Sequence, residues 1–181
     1  MISNGEALSA LQDVETTRRR SREAYGYSLS APYCFIWGVA WFVAYASEAS
    51  GTPYVWWIWS AAISAGAIAC VVVGLSQARR GAPSIRRIWL LFVVLYAFSF
   101  ALFSIFSPVG PFQIAAYWPL LWAAVYCGIG LWLGMRYVIV GGVLGGLTLA
   151  AYFRFRDHFY ITMAFAGGGS LILTGFWLRR A

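Results

Sequence analysis

Apolar positions along this chain run together in blocks broken by short clusters of proline, glycine and arginine, with no sustained alternation of polar and apolar residues. Each block is close to the ~20 residues that an α-helix needs to cross roughly 30 Å of hydrocarbon. The six blocks are Pro32 to Ala49, Tyr54 to Ser76, Ile88 to Ser107, Phe112 to Leu133, Tyr137 to Phe153 and Phe159 to Leu178. They predict an all-α membrane protein, a six-transmembrane-helix bundle. Pro32 and Pro53 are expected to open the first two spans, and SPVGP at 107–111 to turn the chain between the third and fourth. Pro119 falls inside the fourth span, where it should kink the helix and free a carbonyl that a neighbour must satisfy.

The segment before the first span has a different pattern. Ser3 and Glu6 fit a capping box, Leu8, Leu11 and Val14 make an apolar edge, and the acids Glu6, Asp13 and Glu15 precede the arginines, as a helix dipole favours. Residues 1–31 therefore read as an N-terminal amphipathic helix at the membrane surface, and 32–181 as the transmembrane domain. The segment is too polar and acidic for a signal sequence.

Composition agrees with that division: of 181 residues, 61% are hydrophobic and only 10% charged, which leaves too little polar surface for a water-soluble fold. Charge then orients the bundle. All thirteen basic residues are arginine. With six spans, Arg18, Arg19, Arg20, Arg22, Arg79, Arg80, Arg86, Arg87, Arg136, Arg179 and Arg180 fall on one side, and only Arg154 and Arg156 on the other. Basic residues are retained in the cytoplasm, so both termini are expected there, in a bacterial inner membrane. The cluster Arg18, Arg19, Arg20 and Arg22 fixes topology and offers contact to anionic lipid heads. On the opposite face, Arg154, Arg156, Asp157 and His158 form a charged cluster joining the last two helices, with Asp157 placed to pair with either arginine. It reads as a cap that stops both helices sliding into the lipid, with an outward-facing site for an anionic headgroup or ligand as the alternative.

Small residues point to tight helix packing. Ala62, Gly66, Cys70 and Gly74 recur every fourth position in the second span, and the fifth doubles the motif with Gly141 and Gly145 beside Gly142 and Gly146. Gly167, Gly168 and Gly169 lie near the middle of the sixth span, where packing or a helix break are both open readings. The third span carries bulky Phe92, Tyr96, Phe98, Phe100, Phe103 and Phe106 and belongs at the periphery. Tyr33, Trp37, Trp41 and Tyr45 form an aromatic ladder on the first helix, and Trp118, Trp122 and Tyr126 another on the fourth. Facing each other, the two ladders would line a slot for a flat apolar ligand or an organic cation.

Chemistry that needs convergent groups finds little here. Cys34, Cys70 and Cys127 sit where small side chains are wanted, no two are spaced as CxxC, and packing is the expected role. No aspartate, glutamate, lysine or histidine falls within a predicted span core, so the residue that proton-coupled transporters usually carry is missing. The one histidine excludes two-histidine haem ligation and HExxH, and the absence of lysine excludes a retinal Schiff base. No enzyme activity, cofactor, metal or nucleic acid is expected. The reading that remains is an accessory, assembly or regulatory subunit that packs against a protein partner or another copy. Its alternative is a carrier, channel or sensor that binds in the aromatic slot.

Overall fold

A computed structural model describes the backbone of residues 4–82 and 86–180, with side chains for 11–18, 20–82 and 90–180. The predicted capping box lies outside that description, which includes neither Ser3 nor the Glu6 side chain. Helix α1 (Asn4–Ala49) is followed by α2 (Val55–Arg79), α3 (Arg86–Ile105), α4 (Pro111–Leu133) and α5 (Met135–Arg154). A 3-10 turn (Arg156–His158) then leads into the last rod, made of α6 (Phe159–Met163), a π-helical segment (Ala164–Gly169) and α7 (Ser170–Arg179). No strand occurs among the described residues. Five of the rods are long and apolar enough to span a membrane, and α3 adds the apolar stretch Leu90–Ile105. The chain is a multi-pass membrane protein built as a helix bundle.

Successive rods run antiparallel. Residues near 29–33 of α1 meet Gln77 of α2, while Glu48 meets Trp59. Cys34 meets Tyr126 of α4 and Tyr45 meets Ala115. Gly38 lies against Ile172, and Gly168 of the π segment against Phe42. The α4–α5 pair shows the same sense, with Gly130 against Val138 and Ala123 against Gly141. This alternation sets Arg79, Arg80, Arg136, Arg179 and Arg180 at one end of the bundle and Arg154 and Arg156 at the other.

Helix α1 is the central rod. It carries much of the core: Tyr27, Ala31, Cys34, Ala40, Trp41, Ala44 and Tyr45 are all buried, against α2, α4, α5 and the last rod. Pro32, expected to open the first span, instead lies inside this helix. Proline removes one backbone hydrogen bond, and dense packing on both sides of it holds the helix together across the gap. The Gln77 amide of α2 also donates to the Leu29 carbonyl at 2.9 Å, one residue after the Ser28 carbonyl that Pro32 deprives of its donor, and so ties α2 to α1 in that turn. At ~1.5 Å rise per residue, the 46 residues of α1 span roughly 69 Å, more than twice the hydrocarbon thickness. The described side chains from Leu11 to Arg22 are exposed, so that end of the helix projects beyond the bundle.

Pro119, inside α4, is buried, and the carbonyl it deprives of a partner is that of Ala115, four residues earlier. Tyr45 supplies the missing donor through its hydroxyl, 2.6 Å away. The sixth span is interrupted at its glycines by the π segment, yet those glycines also pack closely: a Cβ on Gly168 would stand 2.6 Å from the Phe42 nitrogen. Helix α3 is held to α4 by rings and one hydroxyl pair. Phe92 meets Trp122 at 5.1 Å, Tyr96 meets Trp118 at 5.3 Å, Phe103 meets Tyr117 at 4.8 Å, and the Ser99 and Tyr117 hydroxyls are 2.7 Å apart. Bulky rings keep two helix backbones apart where glycine would let them close.

Candidate functional site

The two aromatic ladders take different roles in the folded chain. Trp41 and Tyr45 enter the main core, where Tyr45 sits edge-on to Trp41 and to Trp59 at 5.2 Å. Trp37 lies over Gly66 of α2, and the Tyr33 hydroxyl donates to the Gln77 side-chain carbonyl at 3.2 Å. On α4, Trp118 and Trp122 turn toward the rings of α3. Tyr126 turns the other way, its hydroxyl 3.7 Å from the Cys34 sulfur and its ring stacked on Tyr137. The rings of the two ladders thus pack mainly against residues of other helices: Trp59 and Gly66 of α2, Phe92 and Tyr96 of α3 and Tyr137 of α5.

The small-residue stripes mark the closest approaches. Gly66, Cys70 and Gly74 are buried and Ala62 half-buried, all on one face of α2. On α5 only one of the doubled registers meets α4. A Cβ on Gly141 would lie 2.5 Å from the Ala123 carbonyl oxygen, and one on Gly145 would touch the Ala123 Cβ at 3.4 Å. Gly142 and Gly146 face open space. Cys127 donates toward the Val138 carbonyl at 3.7 Å, and no three His, Cys, Asp or Glu side chains gather as a metal site among the described residues.

At the arginine-rich end, a polar joint ties α1 to the start of α5 and the end of α7. The Tyr137 and Ser30 hydroxyls are 2.6 Å apart, and Tyr137 also donates to the Gly26 carbonyl at 3.2 Å. Arg136 lies between two rings, 5.3 Å from the centroid of Tyr27 and 5.1 Å from that of Trp177, and donates to the Trp177 carbonyl at 3.1 Å. Gly134, at φ 128°, makes the α4–α5 turn directly beneath the Tyr27 hydroxyl, with Glu23 next to it. Sequence reading missed this joint. Its signal was the placement of hydroxyl side chains, Ser30 and Tyr137, at the ends of spans where apolar residues would have served. Of the basic cluster on α1, Arg18, Arg20 and Arg22 are exposed, and the Arg19 side chain lies outside the described residues.

At the other end Arg154, Arg156, Asp157 and His158 are all exposed. The expected pairing of Asp157 with an arginine is not formed: among the described residues no ion pair links Asp157 to Arg154 or Arg156. Arg156 is turned instead onto the faces of Phe112 and Tyr152, 5.6 and 5.5 Å from their centroids. An arginine is weakly hydrated for a cation and stacks well on rings, which favours this placement at a membrane boundary. Below it, an apolar groove of about 280 Å3 runs between α4 and α5, lined by Gln113, Ala116, Tyr117, Leu120, Leu149, Tyr152 and Phe153.

No protein-family model, curated protein sequence or solved structure matches this chain.

Proposed function

We propose that the chain is an integral-membrane accessory, assembly or regulatory subunit, in a bacterial inner membrane with both termini in the cytoplasm, which works by packing its helices against a protein partner or a second copy. The observation that carries this reading is α1: one unbroken helix that is core to the bundle and also projects, exposed, well past it. A lone helix in water is marginal, and its apolar edge, Leu11 and Val14, calls for a second surface. Because the same rod is gripped by four other elements, a partner that holds its projecting end also acts on the core. The peripheral α3, whose Phe98 and Phe100 are exposed, offers a second packing face within the membrane. Orientation rests on the arginine distribution.

Purification in a mild detergent, followed by native mass analysis, tests the reading. The expected result is a stoichiometric complex, or a discrete homo-oligomer, that Leu11→Asp with Val14→Asp dissolves while insertion is unchanged. A solitary monomer recovered from native membranes at native expression would overturn it.

A further inference from the structure

The groove between α4 and α5 has three properties that together define a ligand. Its walls, Ala116 and Leu120 on one side and Leu149 and Phe153 on the other, are apolar, and it is open along the bilayer. Its volume, about 280 Å3, falls just below the ~300–1,000 Å3 of sites that enclose compact small molecules, and suits a thin chain lying lengthwise. Tyr152 belongs both to the groove wall and to the ring pair on which Arg156 rests. The guanidinium is therefore held at the mouth of the groove, at the end of the bundle where α5 gives way to the last rod.

Arg156 is exposed, and among the described residues no carboxylate neutralises it. Arg154, two residues earlier, is exposed as well and adds a second positive charge against the single Asp157. A planar guanidinium fixed over two rings keeps its N–H edge free for bidentate bonding to a phosphate. Charge and shape thus select the same molecule.

We propose that the α4–α5 groove binds one acyl chain of an anionic phospholipid, from the leaflet on the side of residues 155–158, with the lipid phosphate on the Arg156 guanidinium. This site is separate from the basic cluster of α1, which lies at the opposite end of the bundle, and it does not depend on the chain being a subunit of anything.

The full-length protein in detergent, titrated with palmitoyl-oleoyl phosphatidylglycerol or with the matching phosphatidylcholine and read by native mass analysis, tests the proposal. One phosphatidylglycerol should bind roughly five-fold or more tightly than phosphatidylcholine, the contribution expected of one basic residue facing an anionic lipid surface. Arg156→Gln should remove most of that preference, weakening phosphatidylglycerol more than phosphatidylcholine, which loses the same phosphate contact but not the net charge attraction. Leu149→Trp, which fills the groove from an exposed position, should weaken both lipids. The triple variant Arg18→Gln, Arg20→Gln, Arg22→Gln should keep the tight phosphatidylglycerol. Equal binding of the two lipids to the unaltered protein would overturn the site, as would indifference to Arg156→Gln or loss of the preference in the triple variant. Glycerol 3-phosphate competing as well as the whole lipid would exclude the groove.

Discussion

The Tyr45 hydroxyl donates to the Ala115 carbonyl at 2.6 Å, and Ala115 stands four residues before Pro119. In an unbroken helix that carbonyl would accept the N–H of residue 119, which proline lacks. With no water in the hydrocarbon to take its place, the donor has to come from another helix. A residue that reads as one rung of a ligand-binding ladder is therefore the group that makes Pro119 tolerable in α4.

Tyr45→Phe keeps the ring against Trp41 and Trp59 but strands the carbonyl, and should cost about 2 kcal/mol of stability in detergent unfolding, within the ~1–3 kcal/mol range for an orphaned buried group. Pro119→Ala restores the backbone donor. In that background Tyr45→Phe should cost less than about 1 kcal/mol, an ordinary net hydrogen bond. Equal costs in the two backgrounds would break the connection between Tyr45 and Pro119.

The doubled glycine motif of α5 gives a paired comparison one residue apart. Gly141→Ala drives a methyl to 2.5 Å from the Ala123 carbonyl oxygen and 2.6 Å from the Cys127 sulfur, and should destabilise by about 1–3 kcal/mol, as overpacking does. Gly142→Ala meets nothing within 4 Å and should be neutral or stabilise by up to about 1 kcal/mol through helix propensity. Thermal unfolding of the two variants checks the order, and a reversed order would mean that α5 presents its other face to α4.

At Gly134 two penalties can be separated. Alanine there faces a positive-φ extended backbone that essentially only glycine adopts, a cost of about 1–3 kcal/mol, and also collides with the Tyr27 hydroxyl. Removing that hydroxyl in the Tyr27→Phe, Gly134→Ala double variant should recover part of the loss and leave the backbone part. Complete recovery, or none, measured by the same unfolding assay, would show that only one of the two acts.

Arg136 tests the joint at the arginine-rich end. Arg136→Gln loses the bond to the Trp177 carbonyl and both ring contacts, and should cost about 1–2 kcal/mol, given ~0.5–1 kcal/mol for an exposed cation–π contact. Arg136→Lys should recover less than half, because an ammonium cannot lie flat on two rings and donate sideways at once. Full rescue by lysine would reduce the role of Arg136 to charge alone.

Tyr137 closes the same joint. Tyr137→Phe should cost only about 0.6 kcal/mol, the average for hydrogen bonds between membrane helices, since its ring keeps its contacts with Tyr27 and Tyr126. A loss above about 2 kcal/mol would make the Ser30 bond a principal tie between α1 and α5.

The sequence by itself determined the rods and their alternation. In hydrocarbon each helix must satisfy its own backbone, so length and apolarity are local requirements written into every span, and the arginines separate into two unequal ends once six spans are drawn. It also announced that Pro119 would need help, because the missing N–H is a property of the residue. Only the tertiary structure decided who helps, which glycine register of α5 is used, that Arg156 turns onto rings while Asp157 stays unpaired, and that α1 runs through Pro32 as one helix. Spans that are apolar all round carry no marked inner face, so hydropathy cannot choose between Gly141 and Gly142 or say that Tyr45 meets Ala115. Those choices arise from shape and from hydrogen bonds between segments far apart in the chain, and they exist only once the helices are side by side.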